Sequence, residues 1–292
     1  MRPTILACIV AIATPALAQD TETQADWEIH RNLRRKAVMA YVVYDNGLSL
    51  AVRCIDEAYE AFVGGLPAPA DRRLNTRTLG IAFGDAEMDM QRWNVGAENT
   101  MAVSDFPAPF ARKLREGGRL QILVPDGGGP GRNVRYDVAL PASTSSIDET
   151  LAACRRPLVD ARDLELERLP EDGVPEGLIW TRAPEPDYPE NPYVRGFAAV
   201  SCATRPDGAL QDCVIEAEHP RDGRFGDSVL RAVRRARVGW SGENSRPIPP
   251  RIVSFRSTFV ISGYESREDR EAERLQRERE RRAHEERARP AS

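Results

Sequence analysis

One hairpin signal near the amino end constrains the fold more than any other feature. Residues 37–44, Ala-Val-Met-Ala-Tyr-Val-Val-Tyr, are apolar and rich in β-branched and aromatic side chains. Asp45-Asn46-Gly47 follows, and then Leu48, Leu50, Val52 and Cys54 alternate with Ser49, Ala51 and Arg53. An Asn-Gly between two such runs predicts a tight turn joining antiparallel neighbours. The runs that follow add further strand candidates to a domain that is mostly strands. Residues 58–63, 76–83, 90–95, 101–104, 120–124 and 133–140 are the candidates. The first of them is equally compatible with a helical turn, because Ala58, Glu60 and Ala61 favour helix. Pro107 and Pro109 open a helix through Phe110, Ala111 and Leu114 that stops at Gly117-Gly118. Ser146-x-x-Glu149 predicts a capping box for a second short helix over residues 147–154.

The first eighteen residues predict export. Arg2 precedes an apolar run over residues 5–16, broken only by Thr14 and Pro15, and Ala16-Leu17-Ala18 gives a small-x-small cleavage pattern before Gln19. The run is shorter than the ~20 residues a bilayer span needs. Three apolar residues before Cys8 are too few for the signal core of a lipoprotein. Loss of Arg2 takes the formal charge from -4 to -5, too mild to name a nucleic-acid or acidic partner. Cys54, Cys154, Cys202 and Cys213 then remain, an even number that reads as two disulfides in an oxidising compartment. Of the three pairings, Cys54–Cys154 and Cys202–Cys213 each stay inside one inferred domain. No close Cys-x2-Cys pair accompanies His30, His219 and His284, so no metal site is expected.

The expected organisation is α+β. A leader (1–18) precedes a β-rich domain with two short helices (19–158) and a polar, Pro- and Gly-bearing linker (159–178). A second domain (179–264) and a tail dominated by Arg and Glu (265–292) complete the chain. In the second domain, residues 196–204 and 209–217 flank Arg205-Pro206-Asp207-Gly208 as a hairpin. A two-residue loop would set Cys202 opposite Cys213, Val200 opposite Ile215 and Ala198 opposite Ala217. Pro206 cannot donate the bond that closes so tight a loop, and a longer loop shifts the register. A helix over residues 227–238 buries Val229, Leu230, Val233 and Ala236. Val253, Phe255, Ser257, Phe259 and Ile261 then alternate with Ser254, Arg256 and Thr258 on a closing strand. The result is a three-stranded antiparallel sheet covered by one helix.

These 85 or so residues resemble the TonB C-terminal domain family. Pro186-Asp187-Tyr188-Pro189 matches its Pro-x-Tyr-Pro opening, Gly196 its Gly-led strand and Pro206-Asp207-Gly208 its turn. Val233-Arg234-Arg235-Ala236-Arg237 matches its Arg-rich helix end, and residues 252–261 its closing strand. The resemblance implies a periplasmic energy-transducer-like module whose last strand accepts an extended segment of an outer-membrane transporter. Carried over, Val253, Phe255, Ser257, Phe259 and Ile261 form the partner-binding edge, with Tyr188 and Pro189 beside it. Core packing competes as the role of Phe255 and Phe259. The chain departs from a full transducer in its cleavable leader, its lack of a Pro-rich spacer and the acidic Glu185 and Asp187 around the Tyr-Pro element. A scaffold of the cell envelope is the alternative function.

No Gly-x-Ser-x-Gly, His-Glu-x-x-His or Gly-x4-Gly-Lys-[Ser/Thr] motif is present, and Gly127-Gly128-Gly129 lies between two strands without a following helix. Neither an enzyme nor a cofactor is expected.

Overall fold

The computed structural model describes residues 26–261, apart from residues 70, 72–73, 97–98 and 243–245, together with residue 274. The expected leader lies outside the described residues, as does the charged tail except for residue 274.

Nine strands form one antiparallel sheet: β1 (Glu28–Asn32), β2 (Ala37–Val43), β3 (Ser49–Ile55), β4 (Ala58–Gly64), β5 (Thr76–Phe83), β6 (Asp89–Val95), β7 (Ala102–Val103), β8 (Gly118–Val124) and β9 (Val134–Leu140). Their spatial order is β1-β2-β3-β4-β7-β6-β5-β8-β9. The β2–β3 turn is tight as expected: Gly47 N–H donates to Tyr44 O and Tyr44 N–H to Leu48 O, with Gly47 at φ +83°. β4 is a strand and no helical turn, because Tyr59, Ala61 and Val63 join one core with Leu50, Val52 and Cys54. That cohesion outweighs the local helix preference.

Helix α1 (Pro107–Arg115) and helix α2 (Ser145–Ala153) cover the sheet. The capping box does not form. Helix α2 begins before Ser146, Thr144 precedes it without a side-chain cap, and Glu149 instead forms an ion pair with Arg31 at 2.5 Å. The long-range guanidinium takes the carboxylate that the local motif would have used. Cys54 and Cys154 are joined as expected, tying α2 to β3 with Cα atoms 5.5 Å apart.

The expected linker carries structure. Its helix α3 (Asp163–Glu167) buries Leu166, and Arg112 of α1 holds Asp163 through Nε and Nη2 at 2.5 and 2.7 Å. The second unit comprises β10 (Leu178–Arg182), β11 (Arg195–Thr204), β12 (Leu210–His219), α4 (Phe225–Val233), β13 (Arg237–Trp240) and β14 (Ile252–Val260). Strand order β12-β11-β14 gives the three-stranded antiparallel sheet that the sequence predicts, and β10 and β13 pair separately. The helix ends at Val233, short of the expected Val238. Arg237-Val238-Gly239-Trp240 favours an extended chain, and Val238 N–H donates to Gly208 O.

The β11–β12 register matches the expectation only at its centre. Gly208 N–H donates to Arg205 O and Arg205 N–H to Ala209 O, so the loop holds three residues, Pro206 needing no donor. A bulge containing Asp212 at φ +50° then restores the expected pairs Ser201–Val214 and Val200–Ile215. Cys202 and Cys213 are joined there, their Cα atoms 4.1 Å apart. A second irregularity at Glu216 moves the register on, so Ala198 pairs with Glu218 and not with Ala217. Bulges of this kind re-aim a side chain. Glu216 is 1 % exposed at its side chain and meets Arg162 at 3.3 Å.

The two sheets meet through a small apolar patch. Phe62 and Val103 of the first unit pack on Phe197, Ala199 and Ala217 of the second. Arg156 Nη2 donates to Ile215 O at 2.9 Å, and His219 Nδ1 lies 3.3 Å from Glu60 Oε1.

Candidate sheet-edge site

β14 borders β11 on one side and no other strand among the described residues. Its backbone groups alternate in direction, as in any extended strand. Ile261 N–H points inward to Val194 O, whereas Ser254 N–H points outward to Gly173 O at 2.8 Å and Ile252 N–H outward to Glu165 Oε2 at 3.1 Å. The even-numbered residues therefore face the open side. The segment 165–173 covers the first two of them. At Arg256, Thr258 and Val260 the outward N–H groups have no partner among the described residues.

Gly173 explains why the cover fits. A Cβ there would meet Ser254 O at 2.0 Å, and its φ of +72° favours glycine. The close approach supplies the bond that occupies the upper part of the edge.

The residues expected at the site separate into two groups. Val253 and Phe259 are buried under α4, and Pro189 is buried as well. Phe259 lies 4.8 Å from Phe225 and 5.9 Å from Tyr188, ring centre to ring centre. Tyr188 donates its hydroxyl to Tyr193 O at 2.6 Å, and burial pushes its pKa up. Phe255 is half-buried and meets Trp180 edge-on at 6.2 Å. Ser257 is half-buried, and Ile261 is exposed. Six of the seven thus shape the edge from the core side or carry the ladder to β11, and Ile261 stands at its free end.

Sequence reasoning missed the even-numbered set. Its signal was the same alternation that places Val253 and Phe259 inward: the residues between them carry the outward backbone groups. The side chains of this set face the first unit. Arg256 Nη1 lies 3.5 Å from Asp105 Oδ2, its Nη2 donates to Glu171 O at 3.2 Å, and its guanidinium sits 5.7 Å from the Phe106 ring centre. Arg92 Nη2 is 4.0 Å from the same carboxylate oxygen, and Asn94 Nδ2 donates to Asp105 Oδ1 at 2.6 Å. Burial pushes the Asp105 carboxyl above the ordinary range, against the pull of Arg256, Asn94 and Arg92. Beside this cluster, a cavity of about 320 Å³ opens between β6, α1 and residues 166–171. Arg256 lines it, so the cavity adjoins the open edge. A second cavity of about 340 Å³, lined by Phe197, His219 and Thr258, lies further along β14.

Two other facts bound the chemistry. Among the described residues, no three His, Cys, Asp or Glu side chains group as a metal site. No described helix is long and apolar enough to cross a membrane.

No protein-family model and no curated protein matches the chain. Among solved structures, the solution NMR structure of Pseudomonas aeruginosa TonB CTD is similar at 20% identity. The match covers 31% of this chain and 93% of that one, with a TM-score of 0.28.

Proposed function

We propose that this chain is a protein-binding module of the cell envelope that takes an extended segment of another polypeptide as an added strand on β14. One observation carries the reading: β14 is a sheet edge whose N–H groups at Arg256, Thr258 and Val260 lack partners among the described residues, with the apolar side chains of Val260 and Ile261 exposed beside them. Free edge groups of this kind pair with any extended chain that reaches them. The two disulfides suit an oxidising compartment, and the leader-like first eighteen residues suit export to the periplasm. The partner we propose is an extended segment of an outer-membrane transporter, on the strength of the sequence resemblance. The role needs neither catalysis nor a cofactor.

Titration of the full chain with such segments, followed through backbone amide shifts, tests the reading. Shifts centred on Arg256, Thr258 and Val260 are expected; none at millimolar peptide overturns it. The alternative, an envelope scaffold, draws on the contacts between the two units, above all Arg156 with Ile215 O and His219 with Glu60. It predicts that deletion of residues 265–292 abolishes partner capture while changes on β14 leave it intact.

A further inference from the structure

The first unit contributes charge to the place where the added strand would lie. Arg92 and Arg256 converge on the one carboxylate of Asp105, which is 5 % exposed. Arg256 is further held by Glu171 O, but Arg92 has no hydrogen bond to Asp105 or to any other described residue, and its side chain remains 32 % exposed. Around Asp105, two guanidinium groups face one carboxylate at the floor of the 320 Å³ cavity, whose wider lining also carries Lys113, Glu167, Asp89 and Glu171. Lys113 adds no net charge, because Glu167 lies 3.4 Å from it. Asp89 and Glu171 are both exposed to solvent, where screening weakens their field. The half-buried guanidinium groups are screened less. The walls behind them are apolar: Phe83 and Trp93 each meet Phe110 edge to face.

A strand added to β14 would run about 4.5–5.5 Å from it at Cα, with every second side chain on the face that Arg256 occupies. The side chain set opposite Arg256 would enter this cavity. We infer that the cavity is a receptor for an acidic side chain, Asp or Glu, of the extended partner, and that Arg92 of the first unit holds its carboxylate. The inference rests on the edge reading above and deepens it: edge and cavity act as one site built by both units. A carboxylate against a guanidinium that has no hydrogen-bond partner of its own can form a charge-assisted, bidentate pair, stronger than a neutral hydrogen bond.

Two capped seven-residue peptides of alternating Thr and Val, with Glu or Gln at the centre, test this against the full chain. Backbone amides of Arg256, Thr258 and Val260 report on the edge, and the Nε–H resonance of Arg92 reports on the cavity. The Glu peptide is expected to bind about tenfold tighter than the Gln peptide at low salt, to shift Arg92 Nε–H, and to lose its advantage as salt rises. Arg92→Gln should equalise the two peptides without weakening the Gln peptide. Arg92→Lys, which retains the charge, should restore part of the difference and guards against a folding defect. Equal affinities with shifted edge amides would overturn the acidic receptor and leave the edge reading standing. No edge shift from either peptide would overturn the edge reading and the receptor with it.

Discussion

The alternation along β14 makes two neighbouring proline substitutions differ sharply. Ser257 pairs with Ala198, and its N–H points inward, with the same parity as Ile261 N–H on Val194 O. Ser257→Pro removes that donor and leaves the carbonyl of Ala198, a residue with no exposed surface, unpaired. An orphaned buried acceptor costs about 1–3 kcal/mol, and the proline ring brings the total to roughly 3 kcal/mol or more. Thr258 is exposed, and its N–H points to the open side. Proline is tolerated on edge strands in that orientation, so Thr258→Pro should cost within about 1 kcal/mol. Its effect falls on binding. One lost main-chain hydrogen bond to an added strand is worth about 0.5–1.5 kcal/mol, a two- to thirteenfold rise in Kd. Urea unfolding followed through Trp180 and Trp240 fluorescence gives the stabilities, and peptide titration gives the affinities. Equal stability losses for the two variants, or a Thr258→Pro chain with undiminished peptide affinity, would refute the assigned edge geometry.

Phe259→Ala should destabilise the second unit by about 3–5 kcal/mol in the same urea experiment, because the ring is buried against Phe225 and Tyr188. Val260→Ala, at an exposed position, should stay within about 0.5 kcal/mol. Breaking the Cys54–Cys154 bridge with a double Ser variant frees a loop of 100 residues and should lower stability by up to about 4.7 kcal/mol, read from denaturant midpoints. Gly208→Ala should cost about 1–3 kcal/mol, since φ is +79° and a Cβ would meet Val238 O at 2.1 Å. Acid titration should show two carboxyls acting in opposite directions. Burial raises the Glu60 carboxyl, but His219 and Arg53 outweigh it and hold it below the ordinary glutamate value of 4.5. Its contribution is present above 4.5 and lost as pH falls through the folded value, so Glu60→Gln should flatten the acid limb. Burial raises Asp105, so its penalty is relieved on acidification, and Asp105→Asn should steepen that limb.

Much of the fold was legible because short-range patterns and long-range packing agreed. The Asn46-Gly47 turn, the proline-led α1 and both cysteine pairs stand where the sequence places them. Strand β1, with its polar His30 and Arg31, gave no periodic signal, and its pairing with β2 comes from the neighbour. β10 and β13 are short and are specified chiefly by each other. The bulge at Asp212 escaped because it lies beside the Cys202–Cys213 bridge, and the one at Glu216 because it serves a distant contact. Glu216 is turned toward Arg162 and Ser201, partners that no local pattern reveals. For the site, alternation placed the strand and its buried face correctly. What it did not reveal was Gly173 covering Ser254, or Asp105 gathering Arg92 and Arg256. Both are contacts between segments far apart in the chain.

Amide hydrogen exchange of the full chain, residue by residue along β14 and without any peptide, tests the central claim most directly. Slow exchange at Val253, Phe255, Ser257 and Phe259, protection at Ser254, and fast exchange at Arg256, Thr258 and Val260 is the predicted pattern. Uniform protection through Val260 would mean that the chain's own residues already occupy the edge, and no partner strand could add there.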